Sequence, residues 1–329
     1  MTDFPGFQPH PLLRGGHRQT LFSFFLRGTG YSAGTMQHAI EIPDGDRLIL
    51  HDNPPKHWAT GDPVAVLLHG LAGCHGSAYM VRVGEKLAAR GVRAFRLDHR
   101  GCGAGTHLAR FPYNAGRSDD VRLALKTIHT ICPASPSAVV GFSLSGNIAL
   151  KMLGEDGSQS NAAPPPVTCA VAVNPPIDLA LCGAALAQRQ NRIYERHFIK
   201  LLCRQVAQRI SHFPDAPRPV WHSPPRRLRE FDDAYTAPAS GFNGVKDYYE
   251  QCSGHQFVAS IRVPTLILTA RDDPLIPARS FQSIATPYVK TVITAHGGHL
   301  GYIGRQTGDP DRRWMDWRIV DWLENHFSA

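Results

Sequence analysis

The sequence predicts an α/β protein with a mostly parallel, doubly wound sheet, helices on both faces and an inserted helical cap. Three observations predict it. Short apolar runs alternate with amphipathic helical patterns along most of the chain. A hairpin signal opens the series. One long stretch, 178–245, breaks the alternation with a helical, Pro-rich and basic pattern. Of the 329 residues, 43% are apolar and 19% charged, enough for one large core and too apolar for a disordered or fibrous chain. The expected organisation is one domain over 1–329, with the cap at about 178–245.

The elements follow in order. Ala39–Ile42 and Leu48–Leu50 flank Pro43-Asp44-Gly45-Asp46, which reads as a hairpin. Buried-strand runs follow at Val64–Leu68, Ala94–Leu97, Ala138–Val140, Ala170–Val173, Thr265–Ala270 and Val289–Thr294. Between them, Met80, Val83 and Leu87 share a helical face, with Ser77 as N-cap and Gly91 as a stop. Val121, Leu125 and Ile128 form a second such face behind Asp119-Asp120, and Asn147–Leu153 a third helical run. Trp317, Val320 and Leu323 stripe a closing helix after Arg312. Ser158–Pro166 (SQSNAAPPP) reads as a surface loop.

Charge and cysteine usage exclude several classes. The net charge is +8, and half of it lies in 178–245, which holds ten Lys and Arg against six Asp and Glu. Charge is otherwise spread out and no recognition motif appears, so no nucleic-acid partner is expected. The seven cysteines lie at 74, 102, 132, 169, 182, 203 and 252, with no CxxC, which excludes zinc-ribbon and thioredoxin readings. Scattered free cysteines fit a reducing compartment. The N-terminus lacks a signal-peptide pattern, and the apolar run at Leu21–Leu26 is far too short to span a membrane. The expected location is the cytoplasm. Gly101-Cys102-Gly103-Ala104-Gly105-Thr106 follows a strand, but Thr106 stands where a dinucleotide fingerprint needs glycine.

Gly141-Phe142-Ser143-Leu144-Ser145-Gly146 lies between a strand and a helical run, the setting of a nucleophile elbow. Small residues two positions either side of the nucleophile let strand and helix approach. Here they are Gly141 and Ser145. Asp273 follows the strand Thr265–Ala270, and His299, in His296-Gly297-Gly298-His299, follows Val289–Thr294. The order Ser…Asp…His is that of α/β-hydrolases rather than of chymotrypsin or subtilisin. Asp272 competes with Asp273 and reads as a turn residue; His296 competes with His299 and reads as a strand-end residue. At the front, Val64–Leu68 runs into His69-Gly70-Leu71-Ala72-Gly73, so the N–H groups of Leu71 and Leu144 are the expected oxyanion donors. His69 reads as a hydrogen-bonded loop residue.

PHPLLRGGHRQT (9–20), LLHGLAGCHGSAYM (67–80), FRLDHRGCGAG (95–105), GFSLSGNIALKMLGE (141–155), VKDYYEQCS (245–253), VPTLILTARDDPLIP (263–277) and GGHLGY (297–302) together resemble the YheT-like α/β-hydrolases over essentially the whole chain. The resemblance implies a Ser143–Asp273–His299 triad and hydrolysis of carboxylic esters, with acyl transfer to alcohols in some members. The family usually carries glycine where Ser145 stands. Its animal members have an N-terminal membrane anchor that this sequence does not show.

The expected substrate is a small-molecule ester, with a short- to medium-chain acyl group or an acylglycerol. No cofactor and no metal are expected: among 17 histidines only His296 and His299 have tempting spacing, and no clustered carboxylate or cysteine accompanies them. Ile193, Phe198, Leu201 and Leu202 read by default as helix packing and are the candidates for an apolar slot in the cap. Arg189, Arg192, Arg196, Lys200 and Arg204 form a basic stripe that reads first as a solvated face and second as a surface for an anionic substrate or peripheral membrane contact. Cys74 and Cys102 read as buried small residues. Thioesterase or peptidase chemistry would use the same triad, and a non-catalytic binding module is the reading from another class.

Overall fold

The computed structural model describes residues 4–25, 35–158, 166–306 and 308–328. Most of the 158–166 loop expected from sequence lies outside the described residues. Eight strands form one sheet in the order β1-β2-β4-β3-β5-β6-β7-β8. They are β1 (Met36–Glu41), β2 (Arg47–Asn53), β3 (Val64–Leu68), β4 (Arg93–Asp98), β5 (Ser137–Phe142), β6 (Cys169–Val173), β7 (Thr265–Ala270) and β8 (Val289–Thr294). β2 pairs antiparallel with both β1 and β4; every other neighbouring pair is parallel.

Every residue of β3 to β7 is buried, as parallel strands covered on both faces require. On one face α2 (Ala78–Ala88) and α10 (Trp314–Phe327) pack Met80, Val83, Leu87, Ile319 and Leu323 against Leu67, Val140 and Leu268. On the other, α3 (Ser118–Ile131) and α4 (Leu144–Ser158) pack Val121, Leu125, Ile128 and Ile148 against Val66, Val139 and Ile267. Neighbouring strand residues therefore serve opposite faces. Ser77 is the N-cap of α2, but its hydroxyl accepts from Cys74 N–H instead of capping the helix.

β4 is longer than its apolar run because its charged ends are paired. Arg93 donates to both oxygens of Asp52, at 2.9 and 2.6 Å. Just beyond, buried Arg100 donates to Asp44 and Asp46 of the β1–β2 hairpin and to Asp120 of α3. That anchors the hairpin to the sheet.

Between β6 and β7 the chain leaves the sheet. It forms α5 (Leu179–Leu186), α6 (Arg192–His212), α7 (Leu228–Phe231), a π-turn (Asp232–Thr236), α8 (Ala237–Ala239) and α9 (Val245–Cys252). Asn147 of α4 ties this stretch down: its amide donates to Cys252 carbonyl and accepts from Gly254 N–H. Among the described residues no helix is long and apolar enough to cross a membrane.

Candidate active site

Ser143 stands between the end of β5 and the first residue of α4, with φ at +51°. That left-handed conformation costs a non-glycine residue energy and lifts its hydroxyl above the strand ends. The turn is tight: a β-carbon at Gly141 would lie 2.4 Å from the Ser145 carbonyl oxygen. Ser145 is tolerated because its hydroxyl has two partners. It donates to the His69 carbonyl and accepts from His99 Nε2 at 2.8 Å. His99 therefore carries its proton on Nε2, and burial holds its pKa well below the ordinary imidazole value.

His299 Nε2 lies 2.9 Å from Ser143 Oγ, and His299 Nδ1 lies 2.9 Å from Asp273 Oδ2. The carboxylate can only accept at Nδ1, which leaves the Nε2 lone pair facing the serine. The Asp273 side chain is fully buried and its acceptors are filled. Leu275 N–H and Ile276 N–H donate to Oδ1, and Asn174 donates to Oδ2 at 2.7 Å. The rival pair sits alongside. Asp272 accepts from His296 Nδ1 at 3.1 Å and from Gly298 N–H at 2.9 Å, on the exposed side of the loop. One register step separates an inner Asp–His pair that reaches Ser143 from an outer one that braces the turn.

The His299 loop is held from the other end of the chain. Thr20 of α1 (Gly16–Phe25) accepts from His299 N–H at 2.9 Å. Gln19 accepts from Ile303 N–H and donates to the Leu13 and Ile303 carbonyls. A β-carbon at Gly298 would meet the Gly16 carbonyl oxygen at 2.4 Å. Sequence reasoning quoted 9–20 only as part of a resemblance and missed Gln19, Thr20 and Asn174. Asn174 had one legible signal: an amide residue just past an apolar strand, where a positive φ, here +45°, is tolerated.

The loop after β3 passes close over the elbow, with a β-carbon at Gly70 only 3.0 Å from Ser143 Cβ. Tyr79 Oη accepts from Gly70 N–H, and Tyr113 Oη accepts from Ala72 N–H. Leu71 N–H, between them, has no acceptor among the described residues. Leu144 N–H is the first of α4 and has no intrahelical acceptor. His69 donates from Nδ1 to the Gly70 carbonyl and accepts His99 N–H at Nε2, which makes it a loop brace.

Two spaces meet at Ser143 and His299. One runs beneath α5, α6 and α7 and is largely apolar, with Leu144, Leu179, Leu202 and Val206 in its walls. The other opens beside α2, with Ser77, Tyr79, Arg82, His197 and Leu201. Leu71 and Phe198 line both. Of the four expected slot residues, Phe198, Leu201 and Leu202 face these spaces, whereas Ile193 is 61% exposed. The correction follows from position along the helix: Ile193 shares a row with His197 and Leu201 but stands at the start of α6, two turns before Leu201, and lines neither space. The five basic residues of the expected stripe are all exposed. Cys102 is buried, but Cys74 is only half-buried; burial pushes both thiols up.

A second cluster escaped sequence reading because its members come from separate elements. Asp98 accepts from His51 Nε2 at 2.9 Å, His75 Nδ1 at 2.7 Å and Ala104 N–H at 2.8 Å. Burial alone would raise the Asp98 carboxyl, but the histidine bonds hold it below the usual carboxylate range. Among the described residues these three are the group whose metal-ligand atoms lie within 4.8 Å of one another. The imidazole N–H groups point at the carboxylate, and the rings stack with centroids 3.4 Å apart, so their lone-pair directions do not converge on an ion. The cluster instead anchors the loop that carries Leu71, because His75 N–H also donates to Asp98 at 2.6 Å.

The α/β-hydrolase fold family model matches residues 63–306. YheT of Escherichia coli is 32% identical, over 88% of this chain and 85% of its own length. Two yeast proteins also match, and this chain spans about 60% of each: monoacylglycerol lipase at 26% identity over 80% of the chain, and medium-chain fatty acid ethyl ester synthase/esterase 2 at 30% over 78%. Among solved structures, the esterase Pf2001 of Pyrococcus furiosus has a TM-score of 0.59 at 16% identity, covering 99% of this chain and 97% of that one. Est1E of Butyrivibrio proteoclasticus has a TM-score of 0.57 at 15% identity, covering 92% of this chain and 100% of that one. At such identities the structures speak for the fold alone. The sheet order, the matched family and the YheT likeness together make the conclusion plain: this chain belongs to the α/β-hydrolases, in the YheT-like branch, and is an esterase-type hydrolase.

Proposed function

We propose that the protein hydrolyses carboxylic esters of short- to medium-chain acyl groups or acylglycerols, through a triad of Ser143, His299 and Asp273. The observation that carries this reading is the continuous chain from Ser143 Oγ through the His299 imidazole to Asp273 Oδ2, with both hydrogen bonds 2.9 Å and the serine in a left-handed turn.

In this mechanism Ser143 Oγ attacks the ester carbonyl carbon while His299 Nε2 takes the hydroxyl proton. The carbonyl oxygen becomes an oxyanion facing Leu71 N–H and Leu144 N–H; one such donor contributes about 3 kcal/mol. Collapse breaks the bond to the alcohol, which leaves with the proton from His299. Water then attacks the acyl-enzyme, giving its proton to His299, and the acid leaves as Ser143 regains its proton. An alcohol in place of water gives acyl transfer. Asp273 keeps the imidazole in the required tautomer and stabilises it when charged. The segment 178–245 acts as the cap whose apolar underside takes the acyl chain. The names of the yeast relatives, a monoacylglycerol lipase and an ethyl ester synthase/esterase, support this substrate class.

The test is fluorophosphonate labelling with peptide mapping, beside Ser143→Ala, followed by a panel of esters, thioesters and anilides. Label confined to Ser143 and turnover of esters above the others are expected. Full activity in Ser143→Ala would overturn the reading, since loss of a triad serine costs on the order of 10⁶ in kcat.

A further inference from the structure

The chamber beneath α6 contains a buried cation that the proposed mechanism does not use. Arg209 lines the same space as Ser143 and is only 3% exposed. Its Nη1 donates to Tyr235 Oη at 3.0 Å, a neutral partner. Its Nε is buried and has no acceptor among the described residues. Its Nη2 lies against Gly101, where a β-carbon would come within 2.5 Å.

Of the four other arginines buried to a similar depth among the described residues, Arg96 donates to the His75 carbonyl and Asn53, and three pair with carboxylates. Arg93 pairs with Asp52, Arg100 with Asp120, and Arg318 with Asp309. Of the six acids of 178–245, five lie outside the chamber lining and the sixth, Asp232, shares that lining but is bonded to Tyr249 Oη and not to Arg209. Asp178 caps α5, Glu195 accepts from Arg227, and Asp215 pairs with Arg110. Glu230 accepts from Arg227 N–H, Asp232 from Tyr249 Oη, and Asp233 from Val245 N–H. A guanidinium buried without a counter-charge is costly, and an anion entering the chamber removes that cost.

We propose that Arg209 receives a carboxylate at the far end of the substrate's acyl chain, so that the preferred substrates are monoesters of dicarboxylic acids. The inference rests on the hydrolase reading above. Phe198, Leu202, Val206 and Arg209 line the chamber from one helix. Phe198 borders both spaces at Ser143, and Arg209 lies eleven residues further along, about 16 Å of helix axis. An apolar wall closed by a cation fits a medium-length methylene chain with an anionic tip. The other space, with Ser77, Tyr79 and Arg82, takes the alcohol.

The test compares kcat/KM on the full chain for two matched series of about six to fourteen acyl carbons, chosen to bracket that span. One series is monoethyl esters of saturated dicarboxylic acids; the other is ethyl esters of the monocarboxylic acids of equal length. Acetate esters of ω-hydroxy acids form a third arm, with the carboxylate on the alcohol. At one length the carboxylate-ended acyl ester is expected to exceed its neutral match by about tenfold or more. Arg209→Met is expected to reverse that ratio and Arg209→Lys to keep part of it; a ratio within each variant does not depend on how much protein folds. Preference for neutral esters at every length overturns the inference and leaves the hydrolase reading standing, as does preference confined to the hydroxy-acid acetates. If no ester turns over, the hydrolase reading fails, and thermal shift with free dicarboxylates decides the Arg209 site separately. Stabilisation of wild type but not of Arg209→Met upholds the site; equal or absent shifts overturn it.

Discussion

Ser145 and His99 share a 2.8 Å hydrogen bond inside the elbow, between a fully buried hydroxyl and a fully buried imidazole. The same hydroxyl satisfies the His69 carbonyl. Ser145→Gly removes the acceptor for His99 Nε2–H and the donor for that carbonyl at once. An unsatisfied buried polar group costs about 1–3 kcal/mol, so Ser145→Gly and Ser145→Ala are expected to lower stability by that order. Chemical denaturation measures it. A variant as stable as wild type would mean that water or a side-chain shift replaces the hydroxyl.

Asp273→Asn is expected to lower kcat by about 10⁴, because an amide facing His299 Nδ1 favours the wrong tautomer. Asp272→Asn is expected to change kcat by less than about tenfold, since its His296 pair lies outside the Ser143 chain and is partly exposed. Steady-state rates on one ester separate the two. Equal losses would mean that the adjacent carboxylates act as a unit.

Asp232 gives a pH signature. Burial raises its carboxyl to about 6, against 3.8 for an ordinary aspartate, despite hydrogen bonds from Thr236 and Tyr249. The folded state thus binds this proton more tightly than the unfolded state. Its contribution to stability is unfavourable above pH 6 and is relieved as pH falls from about 6 towards 4. Asp232→Asn is expected to be more stable than wild type at pH 8, by an amount that shrinks over that window. Urea denaturation at several pH values measures it, and a pH-independent difference would contradict the shift.

Phe198 borders both spaces, so Phe198→Ala is expected to widen the passage between them. The ester chain-length profile should broaden and move to longer acyl groups, with kcat on the best short ester within about tenfold of wild type, because Phe198 makes neither hydrogen bond of the Ser143–His299–Asp273 chain. An unchanged profile would mean that a neighbouring wall sets the length limit.

The strands were legible because parallel strands covered on both faces are near-continuous apolar runs, as β3 and β6 are. β4 was read short because Arg93 and Asp98 are buried as paired charges, which hydropathy cannot show. Ser143, Asp273 and His299 were nominated by local setting, each just past a strand, and the parallel sheet brings those strand ends together. Thr20, Asn174 and the His51–His75–Asp98 cluster were not legible. Their meaning lies in contacts across the fold, and nothing local to Thr20 announces a histidine 279 residues away. Arg209 was invisible for a related reason: it looks like one more base on a basic helix until its burial is known.

The grip of Thr20 and Gln19 on the His299 loop joins residues 279 and 284 positions apart. Contacts of such separation carry a loop-closure cost and cannot form until both segments are present. The imidazole is therefore seated only when the two ends of the chain meet. A chain still emerging from the ribosome holds Ser143 long before it holds His299. On the proposed triad, a nascent chain or one truncated before His299 lacks the base for Ser143 and is expected to be inactive on esters.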